Sequence, residues 1–287
     1  MTPTAWISAA LFVLLGPLLG GLLAGIDRRL TARMQARKGP PILQPFYDVL
    51  KLWDKETLVV ARYQTLYLRR FVLFTIVSGV IFFLGGDLLL SLFALTVAGI
   101  FLCVAAYTTN SPYSIIGSER ELLLMMAYEP MMILVPLGFF MLNGSFRVAD
   151  ILNGEPIHLL KLLGIFIGFL FMLTIKLRKS PFDLSMSHHG HQELVKGLTT
   201  DFTGRDLALV EIGHWYENTI LLGWIYLFFA PFGAMIAVPL SLVIFFAEVL
   251  VDNTHARLKW GTAVKASWIV TGVCGVVNLI ILQFLPK

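Results

Sequence analysis

The chain has 287 residues, 57% of them hydrophobic and 14% charged, with a mean hydropathy of +0.79. Soluble domains lie nearer about 45–50% apolar and about 25% charged, so a water-soluble globule is excluded. The 22 Phe and 6 Trp exclude a disordered chain, and the net charge of +4 reflects where the loops lie rather than a nucleic-acid partner.

A bilayer core of about 30 Å takes about 20 apolar residues in a helix. Along the chain the apolar runs predict eight spans, roughly 5–26, 67–85, 88–107, 117–142, 158–177, 205–229, 232–251 and 263–284. The expected fold is an all-α integral membrane protein of about eight transmembrane helices, with residues 1–287 forming a single membrane domain. The runs are continuous rather than alternating, which argues against a barrel. Gly85-Gly86-Asp87 alone separates the second and third spans, so these form a tight hairpin. The first charge is Asp27, so the leading run lacks the basic start of a signal peptide and is read as a retained span. Of the 22 Lys and Arg, all but Arg147, Lys161 and Lys287 fall on one side of this topology. That side is expected to be cytoplasmic, in the cell membrane, with both termini outside.

Residues 27–66 form the first loop on the basic side. Gly39-Pro40-Pro41 predicts a stiff, extended approach. In PFYDVLKLWDKE (45–56), Phe46, Val49, Leu50 and Trp53 fall at i, i+3, i+4 and i+7, one face of an amphipathic helix opened by Pro45. Too short to span, it is expected to lie flat on the membrane as a docking platform.

An acid within a span costs about 2.5–3.5 kcal/mol on insertion scales, so its default reading is functional. The fourth span carries Glu119, Glu121 and Glu129, with Glu129 about 80° around the helix from each of the other two. Pro130 follows Glu129 and is expected to kink the helix and leave room for water. In the sixth span Glu211, His214 and Glu217 stand at i, i+3 and i+6, an imidazole between two carboxylates, which suits proton relay. Glu248, near the basic end of the seventh span, is expected to join the same pathway. These acids cluster in apolar helices with few basic partners nearby, which motivates the proton-pathway reading.

The loop at 178–204 is expected to be an ordered docking segment. It holds Asp183, the group His188, His189, His191 and Glu193, and Asp201. Three histidines and a carboxylate are chemically adequate for zinc or nickel, but adjacent His188 and His189 point apart on any regular element, and no metal site is assigned. Cys103 and Cys274 lie in separate apolar spans and read as buried hydrophobes. A cluster usually takes four thiolates, so electron transfer belongs to partner chains.

RMQARKGPPILQPFYDVLKLWDKE, SERELLLMMAYEP (118–130) and KSPFDLSMSHHGHQELVKGLTTDFTGRDLALVE (179–211) occur in order. Together they resemble the respiratory complex I subunit 1 (NuoH-type) family, which also supplies the membrane anchor of energy-converting [NiFe] hydrogenases. Such chains line a glutamate-rich route between a redox module and ion-pumping subunits. Where the complex I branch tends to carry acids, this loop carries histidines, which favours the hydrogenase branch of the Ech-like type. The resemblance implies a non-redox-catalytic anchor and proton- or ion-coupling subunit of a ferredoxin-dependent hydrogenase complex. The [NiFe] centre and iron–sulfur clusters would sit on partners: hydrogenase large and small subunits, a ferredoxin-like subunit and an antiporter-like membrane subunit. Arg37, Gln44, Asp48 and Lys51 would dock partners together with the 178–204 loop. The alternative is subunit 1 of a quinone- or methanophenazine-reducing relative. A free-standing ion transporter is a third reading, opposed by the absence of a recognisable inverted repeat.

Overall fold

The computed structural model describes residues 3–284 except 57, 59, 60, 156, 186–193 and 195, and for 157 and 158 the backbone alone. Within them the regular structure is helical: α1 Pro3–Met34, α2 Gln44–Asp54, α3 Gln64–Phe83, α4 Leu88–Tyr107, α5 Pro112–Asn143, the short α6 Val148–Ile151 and α7 Ile157–Lys161, then α8 Leu163–Lys176, α9 Gly204–Phe229 and α10 Ala234–Thr254. The final run, Trp260–Phe284, comprises α11 Trp260–Val270, a π-helical turn at Thr271–Val276 and α12 Val277–Phe284.

Among the described residues, six helices are long and apolar enough to cross a membrane: α1, α3, α4, α5, α10 and the α11–α12 run. The other two predicted spans form helices that miss that standard. α8 is only 14 residues long, and α9 has the length, at 26 residues, but carries Arg205, Asp206, Glu211 and Glu217 between its start and its middle. The chain is a multi-pass membrane protein in which α9 is cushioned by its neighbours, packing against α1, α2, α3 and α10.

The α1–α9 contact follows from small residues and one proline. A Cβ on Gly20 would lie 2.0 Å from the carbonyl oxygen of Trp215, so only glycine permits this approach of two backbones. Pro17 has no N–H to give the carbonyl of Val13, four residues earlier. That carbonyl instead accepts from the Tyr216 hydroxyl at 2.7 Å, and Thr219 donates to the carbonyl of Gly16 at 2.8 Å. Inside a bilayer no water is at hand to bond such a carbonyl, so the hydroxyl takes the place of the missing N–H.

The α3–α4 hairpin forms as predicted. Gly85 takes φ +72° at the turn, and Asp87 caps α4 by accepting from the N–H of Leu90 at 3.0 Å. Close to the turn, the hydroxyls of Ser78 and Ser91 bond each other's backbone.

α2 forms close to the predicted place, but its apolar stripe divides. Pro45, Phe46, Val49 and Leu52 turn toward α9, with the Phe46 ring 5.0 Å from Trp215. Leu50 and Trp53 remain exposed. The reason is the direction of the partner: Ala208, Ile212 and Trp215 meet one flank of α2, not the middle of the stripe.

Candidate functional site

The basic segments converge at one end of the helices. Lys179 meets Asp27 at 2.6 Å, Ser114 donates to Asp201 at 2.7 Å, Thr203 accepts from the N–H of Leu58 at 3.1 Å, and Arg257 pairs closely with Asp183. The end of α8 directs two cations into the protein. Lys176, the last residue of α8, is buried, and Arg178 takes φ +53°, which turns its guanidinium inward.

There they meet α5 and α9. Lys176 Nζ lies 2.9 Å from Glu217 Oε1, donates to the Tyr128 hydroxyl at 3.2 Å, and sits 5.3 Å from the Tyr128 ring centre. Arg178 grips Glu121 Oε1 with Nη2 at 2.9 Å and Nε at 3.2 Å, and its Nη1 lies 3.6 Å from Glu217 Oε2. The Ser185 hydroxyl donates to the other oxygen of Glu121. Two acids and two cations thus balance in a buried group, the arrangement that makes such charges tolerable. Burial works against the Arg178 charge, but Glu121 and Glu217 outweigh it and push the guanidinium above its ordinary value.

His214 completes the group, with Nδ1 3.2 Å from Glu217 Oε2 and Arg178 Nη1 at 3.1 and 3.4 Å from its two ring nitrogens. A guanidinium only donates. The assignment that satisfies both neighbours gives Nδ1–H to Glu217 and leaves Nε2 to accept from Arg178. The ring therefore links an acid to a cation and can pass a proton between its two nitrogens.

A cavity of about 300 Å³ opens over this group, walled by Arg28, Lys176, Arg178, Lys196, Glu211, His214 and Glu217 among others. Adjoining it is a second space walled by Arg28, Asp48, Lys51, Lys55 and Glu211, so polar side chains run from α2 to the buried charges. Arg28 and Asp48 pair at 2.7 Å at this mouth, and Gln44 donates to Asp48 at 2.9 Å. A larger cavity of about 590 Å³ lies at the opposite end, between the start of α1, the α3–α4 turn and α9. Among the described residues its wall holds none that is charged.

The structure therefore gathers Glu121, Glu211, His214 and Glu217 and leaves the other predicted acids elsewhere. Glu119 is exposed, and Glu129 is half-buried with one carboxylate oxygen unpartnered among the described residues. Glu248 is buried against Thr174, on the other side of α8. The expectation of few basic partners does not hold: Lys176 and Arg178 pair the acids directly. The sequence carries a signal for them, a KLRK cluster closing an apolar run, but one that topology alone already explains.

Of the predicted docking residues, Arg37 is exposed and donates to Gln35, while Lys51 lines the mouth. Asp201 ties the loop to the start of α5. Asp183 is mostly buried, and burial pushes its carboxyl up to about 6, with Arg257 pulling the other way. His188, His189, His191 and Glu193 lie outside the described residues.

A profile of the NADH dehydrogenase family matches residues 7–283. The chain belongs to the NADH dehydrogenase subunit 1 (NuoH-type) family. Within that family it is 27% identical to hydrogenase-4 component C of Escherichia coli, over 92% of this chain and 91% of that one. It is 30% identical to NADH-ubiquinone oxidoreductase chain 1 of Artemia franciscana, over 84% of this chain and 86% of that one. A chain of the membrane-bound sulfane sulfur reductase, an archaeal respiratory membrane complex, shares the fold, with a TM-score of 0.84, 24% identity, and coverage of 97% of this chain and 99% of that one. Family membership makes this a membrane subunit of the respiratory-complex type, with partner subunits.

Proposed function

We propose that the chain anchors the peripheral redox module of an energy-converting, ferredoxin-dependent [NiFe] hydrogenase and couples it to proton or ion movement. The observation that carries the coupling role is the buried Glu121–Arg178–His214–Glu217–Lys176 group beneath a polar cavity on the basic side. A charge arriving at the cavity mouth shifts the balance of that group, and His214 gives the shift a route as a proton. Glu129, Glu211, His214 and Glu217 are the residues proposed to carry protons inward from this side. The likeness to hydrogenase-4 component C supports the hydrogenase branch. The chain's own cysteines do not suit the redox centres: Cys103 is buried in α4 and Cys274 lies in the π-helical turn, so the metal centres are assigned to the large and small subunits. The exposed Leu50 and Trp53 of α2, with Arg37, Lys51 and the 178–204 loop, supply the docking face.

Purification of the complex through a tag on this chain, followed by assay of hydrogen evolution from reduced ferredoxin, tests the reaction. Evolution with nickel in the preparation supports it. Quinone reduction without hydrogen transfers the chain to the second reading, a quinone- or methanophenazine-reducing relative, which the likeness to NADH-ubiquinone oxidoreductase chain 1 supports. Undiminished proton translocation by Glu217→Gln or Glu129→Gln in vesicles would remove the coupling role.

A further inference from the structure

The end of α8 separates two buried polar groups. Residues two apart on a helix lie about 200° apart around it, so Lys176 and Thr174 face opposite ways. Lys176 enters the group described above. Thr174 faces α10, where its hydroxyl lies 2.8 Å from Glu248 Oε2. The residues beyond the helix repeat the division: Arg178 turns to Glu121 and His214, while Lys179 turns to Asp27 on α1 and Asp252 on α10, at 2.6 and 3.6 Å.

Glu248 differs from the acids of the first group in what it touches. Glu121 and Glu217 each hold a cation, and protonating either would strand Arg178 or Lys176 without a full partner. Among the described residues no cation lies within ion-pair distance of Glu248, although it is only 5% exposed. Lys179, the cation that the end of α8 sends to this side, is already engaged by Asp27 and Asp252, and Glu211 and Glu217 of α9 face the cavity instead.

The Thr174 hydroxyl shows how such a carboxyl is satisfied. It has one hydrogen and two neighbours, the carbonyl of Leu170 at 3.2 Å and Glu248 at 2.8 Å. The carbonyl can only accept. With the hydroxyl turned to Leu170, the Glu248 contact needs a hydrogen on the carboxyl. With Glu248 ionised, the hydroxyl turns to it, and the Leu170 carbonyl keeps its helical bond. Both protonation states are therefore hydrogen-bonded, and neither breaks an ion pair.

We propose that Glu248 is a proton-binding site distinct from the Glu121–Glu217 group, loaded and unloaded with the Thr174 hydroxyl as its switching partner. The inference deepens the coupling role proposed above and rests on it for its purpose. The shared strip from Thr174 to Lys179 places the site one helix-width from the charged group. A displacement of that strip by the redox side thus reaches Glu248 without a proton crossing the Lys176–Glu217 pair.

The test is labelling of the intact complex with dicyclohexylcarbodiimide, which adds to protonated carboxyls in apolar surroundings, with the modified residues mapped by peptide mass spectrometry. We expect Glu248 to label about tenfold more than Glu121 or Glu217 near neutral pH, because Lys176 and Arg178 hold those two as carboxylates, and to label less in alkali. Labelling of Glu217 or Glu121 in place of Glu248 overturns the proposal. So does protection by sodium but not potassium, which would assign the site to a sodium ion. Infrared difference spectra of wild type and Glu248→Gln give a readout independent of reagent access: the carbonyl band of a protonated carboxyl disappears in the variant, and its persistence overturns the assignment. Glu248 labelling in a complex that evolves no hydrogen leaves this site standing while the hydrogenase reading falls.

Discussion

α4 and α9 both have the length of a membrane span, yet they solve the bilayer in opposite ways. α4 is apolar along its whole length. Among the described residues its one polar interhelical contact is the Ser91–Ser78 exchange, and it keeps Leu90 and Phe93 exposed for lipid. α9 carries Asp206, Glu211, His214 and Glu217, and its neighbours shield it on four sides. The Asp206 carboxylate is held by Gln64 and Thr65 of α3, and Glu217 by Lys176. Helix α4 is thus specified by its own sequence, and α9 by residues delivered from elsewhere in the chain. A charge at membrane depth is tolerable when the surrounding fold supplies its solvent.

If that contrast is right, the largest loss comes from removing a partner of α9. Lys176→Met leaves Glu217 buried without its close cation and is expected to cost about 3–5 kcal/mol, read as thermal unfolding in detergent. Adding Glu217→Gln to it should recover much of the loss. If the single variant is as stable as wild type, the pair is not what holds α9. In α4, Leu102→Ala removes a fully buried side chain and is expected to cost about 2–5 kcal/mol through the cavity it leaves, with coupling per turnover unchanged. Loss of coupling there would end the distinction between the helices.

A smaller effect sharpens the α1–α9 contact. Tyr216→Phe strands the Val13 carbonyl and is expected to cost about 1 kcal/mol. Pro17→Ala in the same chain restores a backbone N–H to that carbonyl and should make the second change nearly free. The last effect is on pH. The Asp183 carboxyl rises from an ordinary 3.8 to about 6 on folding, so its contribution to stability is complete below about pH 4 and fades as pH rises through about 6. Asp183→Asn should flatten the stability profile across that window, read as the pH dependence of thermal unfolding in detergent.

Apolar runs predict where helices lie because lipid leaves the backbone no other choice, and every predicted span overlaps one. Their ends are less legible. α1 continues to Met34, past the apolar run that ends near residue 26, because Asp27 and Thr31 find partners in Lys179 and Asn253 that only the folded chain provides. The site is legible by halves. Acids inside apolar runs stand out, so Glu121, Glu217 and Glu248 are visible in the sequence. Lys176 and Arg178 sit where the positive-inside pattern already explains a basic residue, and nothing local marks them as turned inward. That information lies in the positive φ of Arg178 and in acids far along the chain.

The opposite facing of Arg178 and Lys179 has a consequence for biogenesis. As the chain is made, Glu121 precedes Arg178, so one cation has a partner waiting, and Asp27 waits likewise for Lys179. Glu217 and Asp252 emerge only with α9 and α10. Until then Lys176 has no carboxylate, and a lysine unpaired at the end of a short apolar helix favours the headgroup layer over the interior. The last inward step of α8 is therefore expected to follow the insertion of α9, which brings the lysine its carboxylate.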